Sequence, residues 1–153
     1  MPLTDRSWIL AMLCALLAAA LTAVGAFAAE EESDRFVRKR VAAMFAAQAA
    51  LDRLGDMSAG RRRFDAAIAR EARRDLIALA RAMPGLFRRQ RVDAQSRALP
   101  RIWPQWRQFR DEARHAERAA RDLNAGSLNR LRQGLPAVVN ACLDCHRSFR
   151  RPP

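Results

Sequence analysis

The chain has 153 residues, enough for one domain with a hydrophobic core, and half of them are hydrophobic, which excludes a disordered chain. Alanine and leucine dominate these residues and tyrosine is absent, so the composition favours helices over sheet. The net charge of +12 can attract an acidic protein, an anionic membrane or a nucleic acid. We exclude nucleic acid, because the densest basic cluster, residues 61–63, has no interleaved aromatic side chain and export is predicted.

The chain begins with an apolar segment. After Arg6, residues 8–29 are uncharged and end in small side chains just before an acidic run. This pattern is typical of a signal peptide that is cleaved near Ala28. We therefore predict a signal peptide over 1–28, one domain over 29–153 and export to the periplasm. An uncleaved membrane anchor is the alternative, because about 20 apolar residues can cross a bilayer.

Four segments of the remaining chain repeat apolar residues at steps of three and four, the spacing of one helical face. Turn signals separate them at 55–60, 84–100 and 124–127. The predicted faces are Val37, Val41, Met44, Phe45, Gln48, Leu51 and Leu54; Ile68, Ala72, Leu76, Leu79 and Met83; Ile102, Trp106, Phe109, Ala113, Ala116, Ala120 and Leu123; and Leu128, Leu131, Leu135, Val138, Cys142, Cys145 and Phe149. Four such helices with mostly short connections predict an all-α fold, an antiparallel four-helix bundle.

Two prolines and one serine indicate where the helices begin, end or bend. Pro84 is expected to end the second helix, because proline lacks a backbone donor. Ser127 is a plausible N-cap for the fourth helix, and Pro136 is expected to kink or break that helix. Segment 87–99 is the longest connection, and we expect it to be the loosest.

The sequence CLDCH at 142–146 is the attachment motif of c-type haem. Cys142 and Cys145, three residues apart, share a helical face, and each thiol can add to a haem vinyl group. His146 is adjacent and brings an imidazole to the iron. The motif therefore predicts one covalently attached haem c, which requires the cellular haem attachment machinery.

Paired cysteines also occur in zinc sites, redox-active dithiols and disulfides. Zinc normally takes four ligands, and after leader removal the only other cysteine or histidine is His115. A thioredoxin-like dithiol opens a helix after a strand, whereas this pair lies near the end of a helical chain. His115 lies off the apolar stripe, so we expect it to be solvated. Haem attachment is the interpretation that we favour.

The chain resembles the class II c-type cytochromes, which include cytochrome c′ and carry their haem motif near the C-terminus of a four-helix bundle. Residues 125–151 are similar to the last helix of the family, including an arginine four residues after the ligating histidine, here Arg150. Arg40 and Met44, in RVAAM, match a first-helix pairing of an arginine with a distal-side residue. The sequence departs from the family pattern at Pro136. The resemblance covers nearly all of the predicted mature chain.

The resemblance also implies roles for individual residues. In this family the distal position holds either an apolar side chain, which leaves a five-coordinate iron open to small gases, or a methionine that binds the iron and favours electron transfer. Met44 would then be the distal ligand, Arg40 would bind a haem propionate, and Arg150 would cover the histidine-side haem face. The alternatives are that Met44 fills space and that both arginines are surface charges. Met57, in a turn, and Met83, at a helix end, are weaker candidates.

The sequence thus predicts a periplasmic monohaem electron carrier, not an enzyme, with iron ligated by His146 and Met44. The first alternative is a five-coordinate protein that binds nitric oxide or carbon monoxide, and the second is an anchored haem subunit. We expect redox partners with acidic docking surfaces, and a homodimer is compatible with the pattern. Trp103 and Trp106 are expected to pack in the core or against the haem edge.

Overall fold

Four α-helices make up most of residues 35–152, the part of the chain described in this computed structural model. Helix α1 is helical over 35–58, α2 spans Ala66–Leu86, α3 spans Trp106–Asp122 and α4 spans Leu128–Phe149, with a 3₁₀ turn at Pro100–Ile102 before α3. The predicted all-α, antiparallel four-helix bundle is confirmed. The signal peptide predicted over 1–28 lies outside the described residues. None of the described helices has the length and apolar character that a membrane crossing requires.

The buried stripe of α1 differs from the predicted one. Met44 is 36% exposed and Phe45 is 72% exposed, so the prediction that they share a buried face with Val37 and Leu54 is wrong. Alanines take their places: Ala43 and Ala47 are the residues of this stretch that pack against the core. Small side chains let neighbouring helices approach closely, and larger ones are then displaced to the edge of the contact. The buried residues of α1 are Val37, Arg40, Ala50, Leu54 and Met57.

The predicted helix ends need two corrections. Helix α2 continues through Pro84 to Leu86, although Pro84 has no N–H to donate to the carbonyl of Ala80. The last turn is closed by the amide of Phe87, which donates to the carbonyl of Met83 at 3.1 Å. Likewise α1 continues past Gly55 to residue 58, so Met57 is helical rather than in a turn.

The N-caps of α2 and α4 are polar side chains. The Asp65 carboxylate accepts hydrogen bonds from the amides of Ala67 and Ile68, and Ser127 Oγ accepts one from the amide of Arg130. Ser127 is therefore confirmed as an N-cap. Helix α4 runs unbroken through Pro136, so of the two outcomes predicted for that proline a break is excluded.

The core divides into two clusters along the bundle. We call the first the aliphatic cluster; its buried members are Ala50, Leu54, Met57, Ala69, Ala72, Leu76, Ala120, Leu123, Ala125, Leu131, Leu135 and Val138. The second, the aromatic cluster, contains Met83, Phe87, Ile102, Phe109, Ala113 and Phe149. Trp103 and Trp106 pack against the aromatic cluster, which confirms their expected role in packing. Phe109 is at its centre, with ring centroids 5.1 to 5.5 Å from three neighbouring aromatic rings.

Residues 87–99 form the longest connection between the described helices, and we call this segment the strap. It contains no helix, yet it is fastened to its surroundings, so the expectation that it is loose is wrong. Trp103 Nε1 donates to the carbonyl of Phe87 at 3.0 Å. A single antiparallel bridge joins Ala98 to Arg150, just after α4. Two backbone bonds flank that bridge: Leu99 N to Phe149 O at 2.9 Å, and Arg151 N to Arg97 O at 2.8 Å.

Candidate haem site

Helix α4 places Cys142, Cys145 and His146 within little more than one turn, and all three side chains are partly buried. Ala141 and Phe149, fully or almost fully buried, hold this end of the helix against the bundle. Cys145 packs against the aromatic cluster. The two cysteines are not joined in a disulfide, so each sulfur is available for a thioether bond to a haem.

Burial sets the protonation of these groups. It raises the pKa of the Cys142 thiol, and burial together with nearby Glu112 and Cys142 raises the pKa of Cys145 to about 12. Burial lowers the pKa of His146, and the positive charge of Arg150 lowers it further. Both effects favour the neutral imidazole, the form that binds iron.

The motif lies at the junction of the two core clusters. On α4, Val138 belongs to the aliphatic cluster and Cys145 packs against the aromatic one, so Cys142 lies between them. On α1, Ala43 packs against the aromatic cluster and Ala47 against the aliphatic one, so Met44 lies between them as well. The structure thus brings Met44 to the same level of the bundle as the haem attachment motif.

Apolar side chains flank the motif on its accessible side. Val139 and Leu143, one helical turn apart on α4, are 36% and 47% exposed. Exposed apolar side chains beside two thiols and an imidazole suit a flat, hydrophobic porphyrin. The predicted face of α4 does not include these two residues. Their spacing of four places them on a second apolar face of the helix, which the sequence could have indicated. The donor set and its apolar surroundings therefore fit a covalently attached haem.

Arg40 lies in an unexpected environment. It is 3% exposed, and its guanidinium donates to the carbonyl oxygens of Leu86, Arg89 and Arg91 in and next to the strap. Its central carbon also lies 4.7 Å from the ring centroid of Phe87, a cation–π distance. Burial lowers the pKa of Arg40, while nearby Asp93 opposes that shift. These bonds use three of its five N–H groups, and pairing with a haem propionate stays a prediction.

Arg150 follows the last residue of α4 and is exposed. Its backbone amide donates to the carbonyl of His146 at 3.0 Å, and its charge is close enough to lower the pKa of that imidazole. The structure therefore brings Arg150 next to the proposed proximal ligand. Its predicted position over the haem face stays a prediction.

The remaining candidates lie elsewhere. Met57 is fully buried in the aliphatic cluster, where its sulfur accepts a hydrogen bond from the amide of Asp65 at 3.4 Å. Met83 is buried within the aromatic cluster. His115 is exposed on α3, as expected. Within residues 35–152, no three His, Cys, Asp or Glu side chains gather into a metal-binding group.

A four-helix bundle whose last helix presents two thiols and an adjacent imidazole defines a monohaem c-type cytochrome. The sequence model of the cytochrome C′ family matches residues 35–150, and the chain belongs to that family. It therefore carries one covalently attached haem c. No curated protein sequence gives a significant match.

Solved structures show the same fold. Cytochrome c′ from Rhodobacter Spheriodes superposes with a TM-score of 0.73 at 23% identity, covering 79% of this chain and 98% of its own. Oxidised cytochrome c556 of Rhodopseudomonas palustris gives 0.69 at 22% identity, covering 77% and 97%. A ferrous variant of cytochrome c′ from Alcaligenes xylosoxidans with bound NO gives 0.69 at 21% identity, covering 79% and 97%. At these identities the likeness establishes the fold alone.

Proposed function

We propose that this protein is a periplasmic electron carrier in which His146 and Met44 ligate the haem iron. A c-type haem supplies an iron that takes up and releases one electron. The chain holds that group through Cys142 and Cys145, presents the imidazole of His146 and offers the thioether of Met44 from α1. It acts without catalytic residues of its own, since no bond of a substrate is made or broken in electron transfer.

The observation that carries the proposal is the placement of Met44. It lies at the level of the attachment motif, at the edge of the buried stripe of α1. Met57 is enclosed in the aliphatic cluster and Met83 in the aromatic cluster, so Met44 is the better placed of the three described methionines. A thioether is a soft ligand that raises the reduction potential of the iron and closes its sixth position to gases.

Absorption spectra of the ferric and ferrous protein test Met44 directly. If its sulfur binds, the ferric protein is low spin, with a weak charge-transfer band in the far red, and the ferrous protein takes up carbon monoxide slowly. Met44→Ala should convert it to high spin and open it to carbon monoxide. Met57→Leu is the matched control, because it alters a methionine in the other half of the bundle. An unmutated protein that is already high spin and binds carbon monoxide rapidly would show that Met44 is packing.

A gas-binding protein is the second candidate, and one observation favours it. Met44 is 36% exposed at the border of its helix face, so a small displacement of the side chain would leave the sixth position open. The solved NO-bound relative demonstrates that this fold can present haem to nitric oxide. Rapid carbon monoxide binding by the unmutated protein, with no change on Met44→Ala, is the result that this candidate predicts.

Location and assembly are part of the proposal. Mass spectrometry of the exported protein tests cleavage near Ala28, because an uncleaved chain retains the apolar segment 8–29. Light scattering tests for a homodimer. The exposed side chain of Phe45 is an apolar contact that a second copy could cover.

A further inference from the structure

The strap and the end of α4 concentrate positive charge beside the haem motif. We define the basic face as Lys39, Arg40, residues 88–101 and residues 144–151. It contains ten basic and two acidic side chains. At the other end of the bundle, residues 52–65 and 117–132 contain eight basic and five acidic side chains. The charge of the described chain is therefore uneven, and much of its positive excess lies in segments that include the end of the haem motif.

Hydrogen bonds in the basic face hold its arginines in place without neutralising them. Arg40 donates to carbonyl oxygens of 86–91, Arg97 donates to the carbonyl of Arg151, and Arg151 donates to that of Ser96. A carbonyl oxygen has no formal charge, so the guanidinium charge persists. At the opposite end, by contrast, Arg61 pairs with Asp56 and Arg121 with Glu117.

Only two acidic residues offset this excess. Asp144 is paired with Arg147, and the Asp93 carboxylate accepts the backbone amides of Gln95 and Ser96 in a local turn. Arg88 and Arg101 are exposed. Several positive charges therefore remain open to a partner.

We infer that the basic face is the docking surface for an acidic redox protein. Guanidinium groups match carboxylates in a planar, two-bond geometry, and nine of the ten basic residues here are arginines. On α4 the face includes residues 144–151, which overlap the haem motif. On α1, the Arg40 guanidinium lies 4.7 Å from the ring centroid of Phe87, a member of the aromatic cluster against which Cys145 packs. Docking there would bring the partner's redox group close to the haem, and long-range attraction would raise the encounter rate. This inference rests on the proposed electron-carrier function.

Two charge-reversed variants of the holoprotein with equal net charge test the inference. Arg88→Glu with Arg101→Glu alters the basic face, and Arg62→Glu with Arg63→Glu makes the same change in the loop between α1 and α2. The probe is flavodoxin, an acidic redox protein, whose reduced flavin passes one electron to the ferric haem with no bond made or broken. At low salt we expect the rate to fall about tenfold or more in the first variant and less than about twofold in the second. High salt should remove the difference.

Binding is measured separately from electron transfer. Titration of the holoprotein with oxidised flavodoxin should shift backbone amide NMR signals of 88–101 and 147–151, and the first variant should lose these shifts. Shifts without electron transfer would overturn the electron-carrier proposal but support the docking surface. Equal losses of the electron-transfer rate in both variants would overturn the docking surface. The absence of NMR shifts at the basic face would overturn it too. The docking surface would also be overturned if the first variant lost binding to phosphatidylglycerol vesicles but kept the flavodoxin rate of the unmutated protein. That result would identify a membrane-binding face.

Discussion

The guanidinium of Arg40 on α1 donates a hydrogen bond of 2.9 Å to the carbonyl oxygen of Leu86, the last residue of α2. Carbonyl groups in the last turn of a helix have no hydrogen-bond partner within that helix, and Arg40 supplies one for Leu86 at the end of α2. The same side chain reaches two further carbonyls at 89 and 91. Arg40 therefore fastens the first helix to both the second helix and the strap, one turn before Met44.

Arg40→Ala should lower the free energy of unfolding by about 3 kcal/mol, because three part-buried hydrogen bonds from a charged donor are lost. Arg40→Lys should recover part of this loss. Lys39→Ala is the control, since an exposed neighbouring cation contributes less than about 0.5 kcal/mol. Urea unfolding of the holoprotein measures all three variants. Equal effects of Arg40→Ala and Lys39→Ala would contradict the anchoring role.

Replacement of both Cys142 and Cys145 by alanine should abolish the haem stain that survives denaturing electrophoresis, because no thioether bond can then form. Each single replacement should keep a weaker stain through the remaining thiol. Leu143→Ala is a suitable control, because it alters the motif without removing a thiol. A stained band from the double variant would place the attachment elsewhere.

Met57→Ala should destabilise the protein by about 2 to 5 kcal/mol, the usual cost of a cavity left by a buried side chain of this size. Met57→Leu nearly conserves the volume and should cost less than about 1.5 kcal/mol. Neither change should alter the haem spectrum, since Met57 lies in the aliphatic cluster. A spectral change on Met57→Leu would mean that this methionine, and not Met44, reaches the iron.

Asp65 should make the stability of α2 depend on pH. Hydrogen bonds from the amides of Ile68 and Ala67 lower the pKa of its carboxyl group. Because the folded pKa lies below the unfolded value of about 3.9, the ionised cap stabilises the fold above that pH, and the contribution is lost as pH falls through the folded pKa. Asp65→Asn keeps a capping oxygen but has no charge. Near neutral pH the unmutated protein should therefore unfold at a higher temperature than Asp65→Asn. The difference in unfolding temperature should disappear in acid.

The features that sequence predicted well depend on local chemistry. CLDCH at 142–146 requires only its own spacing, and the Ser127 cap requires only a serine ahead of an apolar repeat. Features that depend on distant partners were predicted less well. The burial of Arg40 is accompanied by hydrogen bonds to carbonyl groups about fifty residues away, which no helical periodicity can reveal.

The buried face of α1 was predicted wrongly because two sets of residues have the spacing of one helical face. On α1, both the alanines and the larger residues Met44 and Phe45 repeat at helical spacing, and periodicity alone gives the larger residues more weight. In the structure Ala43 and Ala47 pack against the core clusters, and Met44 and Phe45 are exposed. At Pro84 the general rule that proline ends a helix missed the true end by only two residues, since the helix stops at Leu86.

The placement of the two tryptophans makes fluorescence a local reporter. Trp103 and Trp106 both pack against the aromatic cluster, as Cys145 does, so a porphyrin attached at Cys145 would lie near both indole rings and would accept their excitation. Their emission should then be quenched while this half of the bundle is intact. The aliphatic cluster contains no tryptophan, so loosening of that half leaves the emission unchanged. A rise in emission that precedes or follows the loss of helix therefore tells which half of the bundle opens first.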